Sequence, residues 1–137
     1  MAKIILKDCF IELDAIDLTN NVRSVEVNLS KANVDASTMG GQDIMHGREQ
    51  SSFTINWAQS FEPGEVDETL YGHWSAETAF KVTVRPKKAQ VVSASNPEYS
   101  GMVKLLEYIA IGGAAGDLAE TSTTLPVVGG IARDVTV

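Results

Sequence analysis

A chain of 137 residues, 44% of them hydrophobic, suits a single domain whose core needs no metal or disulfide staple. Its formal net charge of −7 argues against binding nucleic acid through phosphates and against an anionic membrane surface, since both need clustered Lys and Arg. Cys9 is the single cysteine, so no intrachain disulfide forms, which fits a reducing compartment.

The opening MAKIILKDCF is basic and then apolar, but Lys7 and Asp8 interrupt it before it reaches signal-peptide length. No apolar run approaches a membrane span. Both features predict a soluble protein made in the cytoplasm. Lys3–Leu13 alternates in two short runs, Ile4–Leu6 and Cys9–Leu13, which predicts an opening strand or hairpin. DAIDLTNNV follows as a connector, because Asp, Thr and Asn side chains bond nearby backbone and favour turns.

Val22–Ser60 reads as two long antiparallel strands joined by a long, polar, glycine-containing loop at Thr38–Gln50. Val25, Val27 and Leu29 alternate, as do Phe53, Ile55 and Trp57. A straight strand over Val22–Ser37 would span roughly 50 Å. A compact domain of this length has a radius of gyration of only about 14 Å, so the hairpin must bend or project. The hydrophobic phase shifts from odd positions to Ala32, Val34 and Ala36, which a bulge near Ser30–Lys31 would produce.

FEPGE is a turn, and EVDETLYGHWSAET is the one convincing helix, ending near Glu77. Val66, Leu70 and Trp74 form its apolar stripe, extended by Tyr71, while Glu65, Asp67 and Glu68 favour the dipole at its first turn. AFKVTVRP is a strand stopped by Pro86. Asn96-Pro97 signals a turn, and Tyr99–Ile111 predicts a long central strand with both faces largely apolar. Ala119–Val128 reads as a last strand, Gly129-Gly130 as a hinge, and IARDVTV as a tail suited to packing on a neighbour. The predicted class is mainly β: a β-sandwich or partly open barrel with one flanking α-helix and a long projecting β-hairpin, all in one domain over 1–137.

Catalytic patterns are absent. His46 and His73 sit in different elements without ligand-spaced neighbours, so each reads as a surface or cap histidine. Cys9 reads as a small buried hydrophobe, and Trp57 and Trp74 as core residues. The Glu65, Asp67 and Glu68 carboxylates have a sufficient structural role at the helix start. GGAAGD lacks the spacing of a phosphate loop. Such a chain is a structural or binding module before it is an enzyme.

The succession DLTNNVRSVEVNLSKANVDASTMG, FTINWAQSFEPGEVDETLYGHW and FKVTVRPKKAQVVSASNPEYSGMVKLLEYIAIGGAAGDLAETSTTLPVVGGIAR resembles the major tail (tail tube) proteins of long-tailed, non-contractile bacteriophages. The resemblance spans about Asp17 to Arg133. It lies in an ordered set of features: the long first hairpin, "VD…L" opening the helix, "RP" ending a strand, "NP.Y.G" opening the next and "GD…T…P" near the end.

The resemblance implies a structural, non-enzymatic subunit of the virion tail, assembled in the host cytoplasm. Hexameric rings of such subunits stack into a hollow tube, and their sheets join into a continuous inner barrel for the genome. Implied partners are further copies of the chain, a tail-tip or baseplate initiator, a tape-measure protein and a tail terminator. DNA passes without specific binding, and no cofactor, metal or membrane is implied. The implied inter-ring loop, within Thr38–Gln50, is Thr38, Met39, Gly40, Gly41, Gln42, Asp43, Ile44, Met45, His46, Gly47 and Arg48. Gly129–Val137 becomes a C-terminal arm, and Glu26 and Asp35, on the polar face of the hairpin, become candidate lumen acids. The competing reading is a monomeric Ig-like or carbohydrate-binding β-sandwich using the loops Thr38–Gln50 and Gln90–Tyr99. A small hydrolase or isomerase comes third, because no spacing predicts paired catalytic groups.

Overall fold

Side-chain alternation builds the sheet. In β6 (Ser52–Ala58), Phe53, Ile55 and Trp57 are fully buried while Thr54 and Asn56 lie on the other face. The computed structural model describes residues 6 and 9–136. The remaining strands are β1 (Phe10–Leu13), β2 (Ile16–Asp17), β3 (Val22–Asn28), β4 (Lys31–Asp35), β5 (Ile44–Glu49), β7 (Phe80–Arg85), β8 (Glu98–Val103) and β9 (Glu120–Asp134). One helix, α1 (Val66–Ala76), lies between β6 and β7. Seven strands form an antiparallel sheet in the order β2-β1-β7-β8-β9-β6-β3, curled into a half-barrel, while β4 and β5 form a separate two-stranded ribbon. This is the mainly β class with a flanking helix and a hairpin that the sequence predicts.

The 15-residue β9 is the spine of the curl. Its first half pairs with β6, from Glu120↔Ala58 to Pro126↔Ser52. Its second half pairs with β8, from Val127↔Val103 to Asp134↔Glu98. The register shifts opposite Gly101, where Gly129 and Gly130 take φ of 87° and 105°. Glycine is required there because these angles exclude most side chains, and the extra residues bend the strand. The core fills the hollow of the curl. Phe53, Ile55, Trp57 and Leu125 come from one half, Ile11, Leu13, Phe80, Val82, Val84 and Val103 from the other, and Val66 and Leu70 from α1. Hydroxyls of β9 enter this core with partners: Trp57 Nε1 donates to Thr123 Oγ1 at 3.0 Å, and Thr121 Oγ1 donates to the Ile109 carbonyl at 2.6 Å.

Several expectations are corrected. Val22–Ser37 is two strands rather than one. The chain leaves the large sheet at Leu29–Ser30, where Ser30 N–H donates to Ser51 Oγ (3.2 Å) and its carbonyl accepts from Gln50 N–H (2.7 Å). The phase slip at Ser30–Lys31 therefore marks passage from one sheet to another. Thr38–Gln50 is not a loop throughout, since Ile44, Met45, His46, Gly47 and Arg48 lie in β5. The strand expected over Tyr99–Ile111 ends at Val103. Gly129-Gly130 is no hinge before a free tail; β9 continues through it to Asp134. The expected opening run Ile4–Leu6 lies, apart from Leu6, outside the described residues.

The helix is correct in position, and Glu77 closes it in the left-handed region at φ 57°. Its buried residues are Val66, Thr69 and Leu70. Tyr71 and Trp74 are 55% and 44% exposed, so neither is a core residue. In the last turn His73 rather than Trp74 meets the sheet, stacking on Phe80 of β7, and Trp74 Nε1 donates instead to the Leu106 carbonyl at 3.3 Å. Cys9 is only half-buried, packed against the margin of the core.

Candidate assembly surfaces

The β4–β5 ribbon has little apolar code because both its faces meet solvent: Val34, Ile44 and Met45 are all exposed. Backbone and turn chemistry shape it instead. Thr38 and Gly41 exchange hydrogen bonds at 2.9 and 3.1 Å, leaving Met39 and Gly40 at the tip, and Met39 is fully exposed. Below the tip, Asp43 N–H donates to Ser37 Oγ (2.9 Å), and Ser37 N–H donates to Asp35 Oδ1 (2.9 Å). The hydrogen bonds from Ser37 hold the Asp35 carboxyl below the usual carboxylate range. Gly47 is needed for packing, since a Cβ there would stand 2.9 Å from Val34 Cγ2 and 3.0 Å from the Ala32 carbonyl. The ribbon is tied down at its base, where Glu49 Oε2 accepts from Ile131 N–H at 2.7 Å.

Thus Thr38, Met39, Gly40, Gly41, Gln42 and Asp43 form the turn, and the other expected loop residues form its return strand. Glu26 and Asp35 are not brought together. Glu26 lies on β3 opposite Thr54 of the large sheet, and Asp35 lies on the ribbon opposite Ile44.

A second surface is the outward face of β3, β6 and the first half of β9. Ser24, Glu26, Asn28, Thr54, Asn56, Ser122 and Thr124 occupy it in register. Asn56 Nδ2 donates to Ser24 Oγ at 2.6 Å, and Arg23 pairs with Glu120 at one end. This face is hydroxyl- and amide-rich with few charges. Its margin is the outer edge of β3, the last strand in the sheet order.

The half-barrel opens between β1 and β3. A groove of about 250 Å³ there is lined by Leu6, Cys9, Ile11, Val22 and Val25. The β1 edge beside it is already covered: Ile11 N–H donates to Thr19 Oγ1 (3.2 Å), and the Ile11 carbonyl accepts from Leu18 N–H (3.1 Å). A larger, more open recess of about 560 Å³ lies beside Ile109, Gly112, Leu118 and Glu120.

Titratable groups serve structure. The expected helix-start acids do so individually: Asp67 accepts from Tyr108 Oη (2.6 Å), Glu68 from Gly64 N–H (3.1 Å), and Glu65 from Asn21 Nδ2 (3.4 Å). Burial and the Asp67 hydrogen bond push the Tyr108 hydroxyl up to about 12. His73 stacks on Phe80 with ring centroids 3.9 Å apart, and His46 lies in β5 opposite Asn33. Among the described residues, no group of three His, Cys, Asp or Glu is placed to hold a metal ion. Sequence reasoning missed the Glu49 contact with β9 and the buried Asn96, whose flags were only an unremarkable acid and a turn dipeptide.

No family model matches the sequence, and no curated protein matches it. Solved structures do match the fold. A chain of the SPP1 tail tube aligns with a TM-score of 0.76 at 12% identity, covering 98% of this chain and 81% of that one. A chain of the tail of an empty gene transfer agent particle, of C6 symmetry, aligns at 0.70 and 15% identity, covering 95% and 96%. A chain from the sheath-tube complex of an extracellular contractile injection system aligns at 0.70 and 12% identity, covering 98% and 93%. The curled sheet with its flanking helix is therefore a tail-tube-like fold.

Proposed function

We propose that this chain is the structural subunit of a phage-type tail tube. Copies join into hexameric rings, and rings stack into a hollow conduit that delivers a genome to a host cell. The observation that carries this reading is that the whole curled sheet, with little left over, aligns with chains of solved tail tubes. A free β3 edge fits ring closure, because edge strands that pair around a ring are no longer open to uncontrolled pairing. The hydroxyl-rich face of β3, β6 and β9 fits a lumen wall, with Glu26 on it, since a wall without clustered Lys or Arg does not hold phosphate. Asp35 lies off that face and belongs instead to the ribbon, whose turn reaches the next ring. The subunit acts without catalysis, in the virion tail, with a tail-tip initiator, a tape-measure protein and a terminator as partners. The fold is shared with a contractile injection system, so the assignment to a non-contractile tail rests on the sequence resemblance alone.

Electron microscopy of the purified chain, with and without a tail-tip initiator, tests the reading. Rings or tubes are expected; a strict monomer under all conditions would sink it. Replacing residues 36–43 by a two-residue Asn-Gly turn should leave rings intact and abolish stacking. Tubes of normal length from that variant would remove the inter-ring role of the ribbon.

A further inference from the structure

The ribbon of β4 and β5 is folded on itself and scarcely packed on the rest of the chain. Its strands belong to a sheet of their own, and Val34, Ile44 and Met45 are exposed. Two stems join it to the large sheet, where Ser30 N–H donates to Ser51 Oγ (3.2 Å) and Gln50 N–H donates to the Ser30 carbonyl (2.7 Å). These bonds fix the stems but not the direction in which the ribbon leaves them. An open space of about 380 Å³, lined by Leu29, Ser30, Lys31, His46, Glu49 and Ser51, gives its base room to turn. Among the described residues, one hydrogen bond runs between residues 31–49 and the large sheet: Ile131 N–H donates to Glu49 Oε2 at 2.7 Å.

The shape of β9 makes this contact possible. β6 pairs with β9 only as far as Pro126, and Val127 N–H reaches the Ser51 carbonyl at 3.1 Å. Beyond that point β9 has no strand on its β6 side among the described residues, and the Glu49 carboxylate takes the place of one. A Cβ on residue 130 would stand 2.8 Å from Glu49 Oε2, so the glycine bulge is what admits the carboxylate. A second partner lies within the ribbon itself. Lys31 stands opposite Glu49 in the β4–β5 register and makes no ion pair among the described residues. The carboxylate thus has two places to go, onto β9 or across the ribbon to Lys31.

We propose that Glu49 and the bulge at Gly129 and Gly130 form a latch that sets the angle of the ribbon on the sheet. The latch couples the second half of β9 to the turn at Met39 and Gly40. Whatever holds or shifts residues 127–134 biases the ribbon, and whatever holds the turn biases β9 by the same free energy. The device is complete within one chain, so it goes beyond the tube reading and does not rest on it.

Distance and exchange measurements on the free, full-length subunit test this. Spin labels are placed at Gln42→Cys in the turn and Ser75→Cys on α1, in a Cys9→Ser background. Glu49→Ala should broaden the distance distribution between them about twofold and speed exchange of the Ile131 amide about tenfold. Amides within β4 and β5 should keep their rates, because the ribbon swings without melting. Glu49→Gln retains an acceptor for Ile131 N–H and should stay close to wild type in both readouts. Gly130→Ala fills the carboxylate's seat from the β9 side and should broaden the distribution as Glu49→Ala does; where that variant unfolds, the Glu49 pair decides alone. An unchanged distribution in Glu49→Ala would overturn the latch. So would β4 and β5 amides that lose protection together with Ile131, or a folded Gly130→Ala chain with a distribution as narrow as wild type. Neither readout requires assembly, so a failed latch leaves the tube reading standing, and a chain that forms no tubes leaves the latch standing.

Discussion

At the scale of single residues, the clearest determinant is Asn96, fully buried in the turn after β7. Its Oδ1 accepts from Lys87 N–H (3.0 Å), and its Nδ2 faces the carbonyls of Lys87, Gln90 and Val91 at 3.1 to 3.2 Å. One amide thus replaces a ladder for a loop that has none. Asn96→Asp would aim a carboxylate at three carbonyls, and its expected cost is at least about 3 kcal/mol, measured by urea unfolding. His73 gives a pH signature. Burial lowers its pKa below 6.5, against an opposing pull from Asp14 4.0 Å away. The native chain therefore binds fewer protons here than the unfolded chain. The stabilisation is complete above about pH 6.5 and declines as pH falls through the imidazole range. Asp17, Asp35 and Asp134 have lowered pKa values, so their contributions are lost at more acid pH, from about 4 downward. Stability curves of wild type and His73→Phe should differ in slope as pH falls below about 6.5, with the wild type losing stability faster; equal slopes throughout would contradict the assignment.

At the scale of elements, the ribbon depends on its tie to β9. Gly130 has φ 105°, and a Cβ there would lie 2.8 Å from Glu49 Oε2. Gly130→Ala should destabilise by more than about 1 kcal/mol. Glu49→Ala should do so by about 1–2 kcal/mol through the orphaned Ile131 N–H. The double variant should lose less than their sum, because the clash disappears with the carboxylate while the backbone strain remains; strict additivity in chemical unfolding would rule out the clash. The elements also divide by legibility. β6 and the first half of β9 were readable because one face is buried and the other is not, so period-2 patterning is enforced, and β7 because Phe80, Val82 and Val84 alternate with polar residues even though Thr83 is buried too. β5 was not readable: its segment IMHGRE is exposed on both faces, and Gly47, which resembles a loop glycine, serves a close approach to Ala32 and Val34. Gly129-Gly130 resembles a hinge for the same reason, whereas its positive φ angles build a bulge inside a strand. Trp74 keeps helical spacing with Leu70, but spacing carries no record that His73 rather than Trp74 covers the sheet in the last turn. Lys104–Ile111 has a strand's sequence without a strand's partner in a single chain.

At the scale of the whole molecule, the sheet has two unlike faces. The concave side is the core, and the outward side of β3, β6 and β9 is a field of hydroxyls and amides that a monomer does not need to keep free of apolar groups. Exposed Leu, Ile and Met side chains gather elsewhere, on the ribbon and along the segment from Leu106 to Leu118. That division fits a subunit whose apolar patches meet other copies while one polar face stays wet. In the proposed tube the net charge of −7 has the same sense, since an acidic wall repels a passing polyanion. Position relative to the lumen is directly measurable with thiols in a Cys9→Ser background. Cysteines introduced at Thr54 or Thr124 should react with a bulky polymer-linked maleimide in the free subunit and become closed to it in assembled tubes. A cysteine at Ser75, on the exposed end of α1, should remain reactive in both states. Reactivity of Thr124→Cys that is unchanged by assembly would place that face outside the conduit, and the wall would then have to be built from a different side of the sheet.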